Sequence, residues 1–155
     1  MTDFDRAVEV IFRVEGYDKQ IVDEGGLTKW GISKNANPDL DIASLTKEQA
    51  KEIYRQRYWL PVRGDELAWP LNLCVFDAAV NQGNDAAIKM LQAAVGVAAD
   101  GRLGAKTLAA VKHMPAVAMA QSYMAKRALR YVGTRNFDKY GYGWFSRLFR
   151  VLSAS

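Results

Sequence analysis

The sequence predicts a mostly α-helical fold of the α+β class, with one small β element. Three observations carry this prediction. Apolar residues recur at helical spacing along nearly every long segment. Capping residues, prolines and glycines punctuate those segments where helices should begin and stop. Only residues 17–35 combine glycine turns with a short alternation, Thr28, Trp30 and Ile32, of the kind a small β-hairpin needs.

Each element follows in order. Phe4, Val8, Ile11 and Glu15 share one stripe, which predicts a first helix over 3–15. The hairpin occupies 17–35. Thr46 and Gln49 form a capping box, with Leu45 and Ala50 placed for a hydrophobic staple, and open a second helix through about Trp59. Pro70 starts a third helix, which carries Asp77 and Asn81 one turn apart and stops at Gly83. Asn84 is the expected cap of a fourth, which runs through Leu91 toward a stop at Gly96. Asp100-Gly101 marks a turn before helices near 104–113 and 115–132. A glycine-aromatic loop, Tyr140 to Trp144, is expected before a short final helix.

The chain has 155 residues, half of them apolar, which suffices for one domain with a real core. No apolar run approaches the roughly 20 residues that cross a bilayer. Asp3, Asp5 and Glu9 make the N-terminus unlike a secretory signal. The expectation is therefore a protein made in the cytoplasm. Cys74, the one cysteine, excludes an internal disulfide and sits in an apolar helix as a structural thiol. His113, the one histidine, ends a helix pattern and suits capping better than catalysis.

Charge is uneven. Residues 126–155 hold seven basic residues (Lys126, Arg127, Arg130, Arg135, Lys139, Arg147, Arg150) against Asp138. Subtracted from the totals of 21 and 17, these leave 14 basic and 16 acidic residues before position 126. Two readings of the tail stay open: a last helix docked on the core with its arginines outward, or contact with an anionic outer-membrane surface. A nucleic-acid partner is not expected, because the rest of the chain is slightly acidic and carries no nucleic-acid-binding motif.

The chemistry concentrates at Glu15 and the hairpin. An apolar stripe and a helix C-terminus both disfavour a charged carboxylate, and a general acid needs that property. Asp23 stands beside the Gly25-Gly26 turn, a wetter place where a carboxylate stays ionised, with Glu24 as its competitor. Thr28 is placed to hold a water or a hydroxyl near Asp23; turn and strand capping is the competing role for both. Two carboxyls in contrasting surroundings suit cleavage of a glycosidic bond. Tyr17, Trp30, Tyr58 and Trp59 are candidate sugar platforms, with Asn81 and Gln82 as amide partners; for each aromatic, a core role competes.

Two blocks carry a family resemblance. Glu15-Gly-Tyr, then Asp23-x-Gly-Gly-x-Thr28-x-x-Gly31-Ile-Ser, resembles the N-terminal signature of the glycoside hydrolase 108 lysozymes, N-acetylmuramidases of phages and bacteria. Val75-Phe-Asp77-Ala-Ala-Val-Asn81-Gln-Gly83, then Leu91-Gln-x-x-Val-Gly96-Val-x-x-Asp100-Gly-x-x-Gly104-x-x-Thr107, is similar to the peptidoglycan-binding region that accompanies them. Gly143-Trp144-Phe-x-Arg147 fits its end. The family more often shows Glu-Gly-Gly-Tyr and Asp-Pro-Gly-Gly, so the loop from Glu15 to Asp23 is shorter here.

The resemblance implies a single lysozyme-like helical domain over 1–155. Residues 1–70 would carry the catalytic motif and 71–155 the peptidoglycan-binding-like region. It implies catalytic Glu15, Asp23 and Thr28, with Asn81 facing the cleft that the candidates Tyr17, Trp30, Tyr58 and Gln82 would also serve. The partner would be peptidoglycan glycan strands, the protein a monomer, with no metal or organic cofactor. A lytic transglycosylase using the same glutamate, or a non-catalytic wall-binding or secretion-assisting protein, are the alternatives. Action at the wall would follow holin- or secretion-dependent release.

Overall fold

The first helix, α1 (Asp3–Glu15), is bounded at both ends by its own sequence. Thr2 accepts from the Asp5 amide, and Asp5 accepts from the Thr2 amide, so two orphan donors are satisfied reciprocally. Gly16 closes the other end at φ +69°, a left-handed conformation, and its amide reaches back to the carbonyls of Phe12 and Arg13. The chain therefore turns sharply away directly after Glu15. The computed structural model describes residues 1–16, 21–23 and 26–155, with the side chains of Ile21 and Asp23 excepted.

The β element is an antiparallel meander of β1 (Ile21–Asp23), β2 (Gly26–Lys29) and β3 (Ile32–Ser33), in the order β1-β2-β3. It has one strand more than the expected hairpin. Trp30 and Gly31, both at positive φ, make the two-residue turn between the paired Lys29 and Ile32. Positive φ at both central residues is the turn whose twist suits a tight hairpin. The alternation Thr28, Trp30, Ile32 is thus a turn between two strands rather than one continuous strand.

Helices follow: α2 (Lys47–Tyr54), α3 (Leu71–Gln82), α4 (Asn84–Ala94), α5 (Ala105–Lys112), α6 (Ala116–Val132) and α7 (Phe137–Ser153). The Thr46–Gln49 capping box is in place at α2, with Leu45 and Ala50 buried beside it, and a π turn over Arg55–Trp59 extends that helix. Asn84 is the first residue of α4 and not its cap; its amide nitrogen donates 2.9 Å to the Arg57 carbonyl instead.

The glycine-aromatic stretch Tyr140 to Trp144 is also helical, inside α7. Two glycines cost a helix about 1 kcal/mol each. The ring of Phe137 packs where a Cβ on Gly141 would sit, 2.7 Å away, while Leu148 and Val151 are buried further along the same helix. Packing of this face outweighs the local preference for a loop.

α3 is the hub. Every residue from Leu71 to Ala79 is buried, as in a helix surrounded on all sides, and α1, α4, α6 and α7 pack against it. Trp59 is fully buried, edge-on to Phe4 and Phe76 with centroids 5.5 and 5.3 Å away, and donates to Asp65 at 2.9 Å. It belongs to the core. Burial pushes the Cys74 thiol up to about 12, with Asp77 adding to the shift, so it is an inert structural thiol. Among the described residues no helix is long and apolar enough to cross a membrane.

Candidate active site

The hub helix contains a charge. Asp77 is completely buried in α3, where an unpaired carboxylate would be prohibitively costly. Two arginines answer it. Arg127 of α6 donates from Nη1 to Oδ2 at 2.5 Å. Arg147 of α7 lies side-on, with Nε 3.1 Å from both oxygens and Nη2 2.7 Å from Oδ1. Burial alone would raise the Asp77 carboxyl, but Arg127 and Arg147 together hold it below the usual carboxylate range.

Arg147 has one nitrogen left, and Nη1 donates to Glu15 Oε1. Glu15 thus ends α1 against a guanidinium rather than against the apolar wall its stripe suggested. Phe4, Val8 and Ile11 of that stripe are buried, while the Glu15 side chain keeps 22% of its surface and that of Arg147 9%. Burial pulls Arg147 down, and Asp77 first, then Glu15, more than reverse this, so it stays cationic. Two acidic side chains and two guanidiniums thus form a continuous polar chain from the core to the surface.

The other end of that chain reaches Asn81 and Gln82. Arg127 Nε donates to Gln82 Oε1 at 2.9 Å, and Nη2 to Asn81 Oδ1 at 3.3 Å and to the Tyr131 hydroxyl at 3.0 Å. Tyr131 in turn donates to Asn81 Oδ1. Trp144 stacks on Tyr131 at 5.0 Å and 16°. Asn81, Gln82, Tyr131 and Trp144, with Arg130 and Thr134, line a cleft of about 280 Å³. It offers amides, a hydroxyl, a cation and an indole face.

A second recess, of about 330 Å³, opens where α1 ends. Glu9, Phe12, Arg13, Gly16, Trp30 and Lys47 line it. Trp30 packs on Phe12 with centroids 5.4 Å apart, and its buried Nε1 has no hydrogen-bond partner among the described residues. A bound hydroxyl is the kind of group such a donor takes. Lys47 and Lys51 hold Glu9 at 2.7 and 2.8 Å.

The remaining candidates are more dispersed. Thr28 pairs with Ile21 and Ser33 across the sheet, and the backbone of Asp23 pairs with Gly26. Tyr58 packs on Tyr54 at 5.5 Å and faces a separate recess of about 90 Å³ with Asn37 and Arg57. Tyr17 and Glu24 lie outside the described residues, as does the Asp23 side chain. Among the described residues no cluster of three His, Cys, Asp or Glu side chains is placed to hold a metal ion.

Sequence reasoning passed over the roles of Arg147, Arg127 and Tyr131. The signal was Asp77, a lone acid in an otherwise apolar helix, which demands cations from elsewhere in the fold.

Comparisons with known proteins identify the family. Residues 8–83 match the family described as Glycosyl hydrolase 108, and residues 86–149 match the one described as Predicted Peptidoglycan domain. No curated protein matches the chain. Among solved structures, that of Brucella abortus SagA is 34% identical, covers 96% of this chain and 92% of its own, and superposes with a TM-score of 0.80.

Proposed function

The chain belongs to the glycosyl hydrolase 108 family, a glycoside hydrolase acting on peptidoglycan, and from that premise we propose that it is a muramidase. It hydrolyses the β-1,4 bond between N-acetylmuramic acid and N-acetylglucosamine, with Glu15 as general acid. The observation that carries this reading is the position of Glu15: partly open at the end of α1, one residue before Gly16 of the Trp30 recess, and gripped by an arginine that is itself anchored on a buried aspartate.

The proposed reaction uses those parts together with Asp23 and Thr28. Arg147 engages Oε1, so Oε2 carries the proton given to the leaving glycosidic oxygen. The C1–O bond breaks as that proton is transferred, and the sugar develops oxocarbenium character. Water attacks C1, and Asp23, steadied with Thr28, takes the proton that the water loses. Asp23 then gives its proton up to solvent, and Glu15, now a carboxylate, is reprotonated from it. The Asp77–Arg147 pair keeps Glu15 from swinging, which supplies the orientation on which acid catalysis depends. Trp30 on one side and Asn81, Gln82 and Trp144 on the other offer faces and amides to the glycan. The place of action is the cell wall, reached after release by a holin or a secretion system.

Mass spectrometry of fragments released from purified peptidoglycan tests this directly. Reducing N-acetylmuramic acid ends support the muramidase. Ends carrying 1,6-anhydro sugars would move the assignment to a lytic transglycosylase, and no soluble fragments would overturn the enzymatic reading.

A further inference from the structure

Part of the C-terminal helix is apolar yet unburied. Tyr142 and Phe149, one face of α7 and seven residues apart, are 91% and 68% exposed. Phe149 and half-buried Phe145 wall a groove of about 780 Å³ between α1 and α7, floored by Val10 and Val14. On the other flank of the same two phenylalanines a second apolar recess, about 230 Å³, opens against Met124 and Ala128 of α6. The ridge and its two hollows form one continuous apolar surface.

The helices that carry it are rich in exposed cations. Lys126, Arg130, Arg135, Lys139 and Arg150 of α6, α7 and their joining turn are exposed, with Asp138 the lone acid of that stretch. Arg13 and Arg150 stand on the groove itself. Arg150 reaches backbone carbonyls, Val14 at 3.4 Å and Ser146 at 3.4 Å, and forms no ion pair among the described residues. The two other basic residues of the tail, Arg127 and Arg147, are committed to Asp77.

We propose that this face docks the protein on an anionic lipid bilayer. An apolar ridge flanked by hollows and rimmed by arginines is complementary to a surface that is apolar within and negative at its rim. Arginines keep their heads at phosphate level while their stems lie along apolar surface, and aromatic side chains sit at the boundary. A second copy of the chain fits less well, because an isologous contact would bring two cationic faces together. The inference stands independently of the hydrolytic reading: Arg13 and Arg130 also line the recesses of the candidate site, but Tyr142, Phe149 and Arg150, on which the test rests, do not.

Sedimentation with vesicles of phosphatidylcholine, with and without phosphatidylglycerol, tests it. The expected result is binding that requires phosphatidylglycerol and weakens with salt. Arg150→Ser should lower the affinity about fivefold, the effect of one basic residue at an anionic surface. Phe149→Ser and the fully surface-exposed Tyr142→Ser should each lower it too, with release of fragments from purified peptidoglycan unchanged. Sedimentation indifferent to phosphatidylglycerol, or variants that bind as the parent does, would overturn the proposal. So would a dimer in solution that Phe149→Ser dissolves, which would assign the face to self-association.

Discussion

Arg147 joins Glu15 to Asp77, grasping a surface carboxylate with one nitrogen and a buried one with two. The partners come from helices 132 and 70 residues away in sequence. The end of α1 is thereby tied to the hub helix through α7. Removing the guanidinium would leave Asp77 with half its compensation.

Arg147→Ala should therefore destabilise the protein by about 3–5 kcal/mol, the usual cost of breaking a buried ion pair from one side. A denaturant midpoint checks this. Arg147→Lys retains a charge but not the planar fork, so it cannot serve both carboxylates at once. A drop in kcat with KM little changed is the expected result for a residue that positions the acid.

Asp77 makes stability depend on acid pH. Its folded carboxyl titrates below its unfolded value of about 3.9, so its contribution is full above that value and disappears as pH falls through the folded pKa. Unfolding midpoints measured downward from pH 5 should fall steeply below about 4. Asp77→Asn should be less stable at neutral pH and show a flatter acid limb, because the group that titrates is gone.

Gly141 is a packing position. A methyl group there would meet the Phe137 ring at 2.7 Å, so Gly141→Ala trades a better helix propensity for a displaced aromatic ring. Overpacking of this kind costs about 1–3 kcal/mol. Thermal unfolding should register the loss, whereas Gly143→Ala, where nothing lies within 4 Å, should be neutral or stabilising.

The fold was legible where local rules and packing agree. The Thr46–Gln49 box, the stop at Gly83 and the stripe that leads to Glu15 are read from spacing alone. They became α2, the end of α3 and the end of α1. The stretch Tyr140 to Trp144 was misread because propensity speaks for each residue singly, while α7 is held by Phe137, Leu148 and Val151 together. β3, with two residues, is too short for alternation to register. At the site, periodicity reveals which face a residue occupies but not its partner across the fold. Arg127 and Arg147 therefore read as ordinary members of a basic tail. Only Asp77, acidic among apolar neighbours, announced that some cations must turn inward.

The hairpin carboxylates should rank below Glu15. Asp23→Asn is expected to slow release of soluble fragments, and Glu24→Gln to slow it less. The reverse order would transfer the second role to Glu24.

The most direct test of the central claim is turnover of purified peptidoglycan by Glu15→Gln, with its fold verified by circular dichroism. Glutamine is nearly isosteric with glutamate and can still accept a bond from Arg147, but it has no proton to give. The account predicts a native-like spectrum and a loss of about 10²–10⁴ in rate, the usual contribution of a general acid. A folded variant that releases fragments at the parent rate would contradict it and place the acid elsewhere.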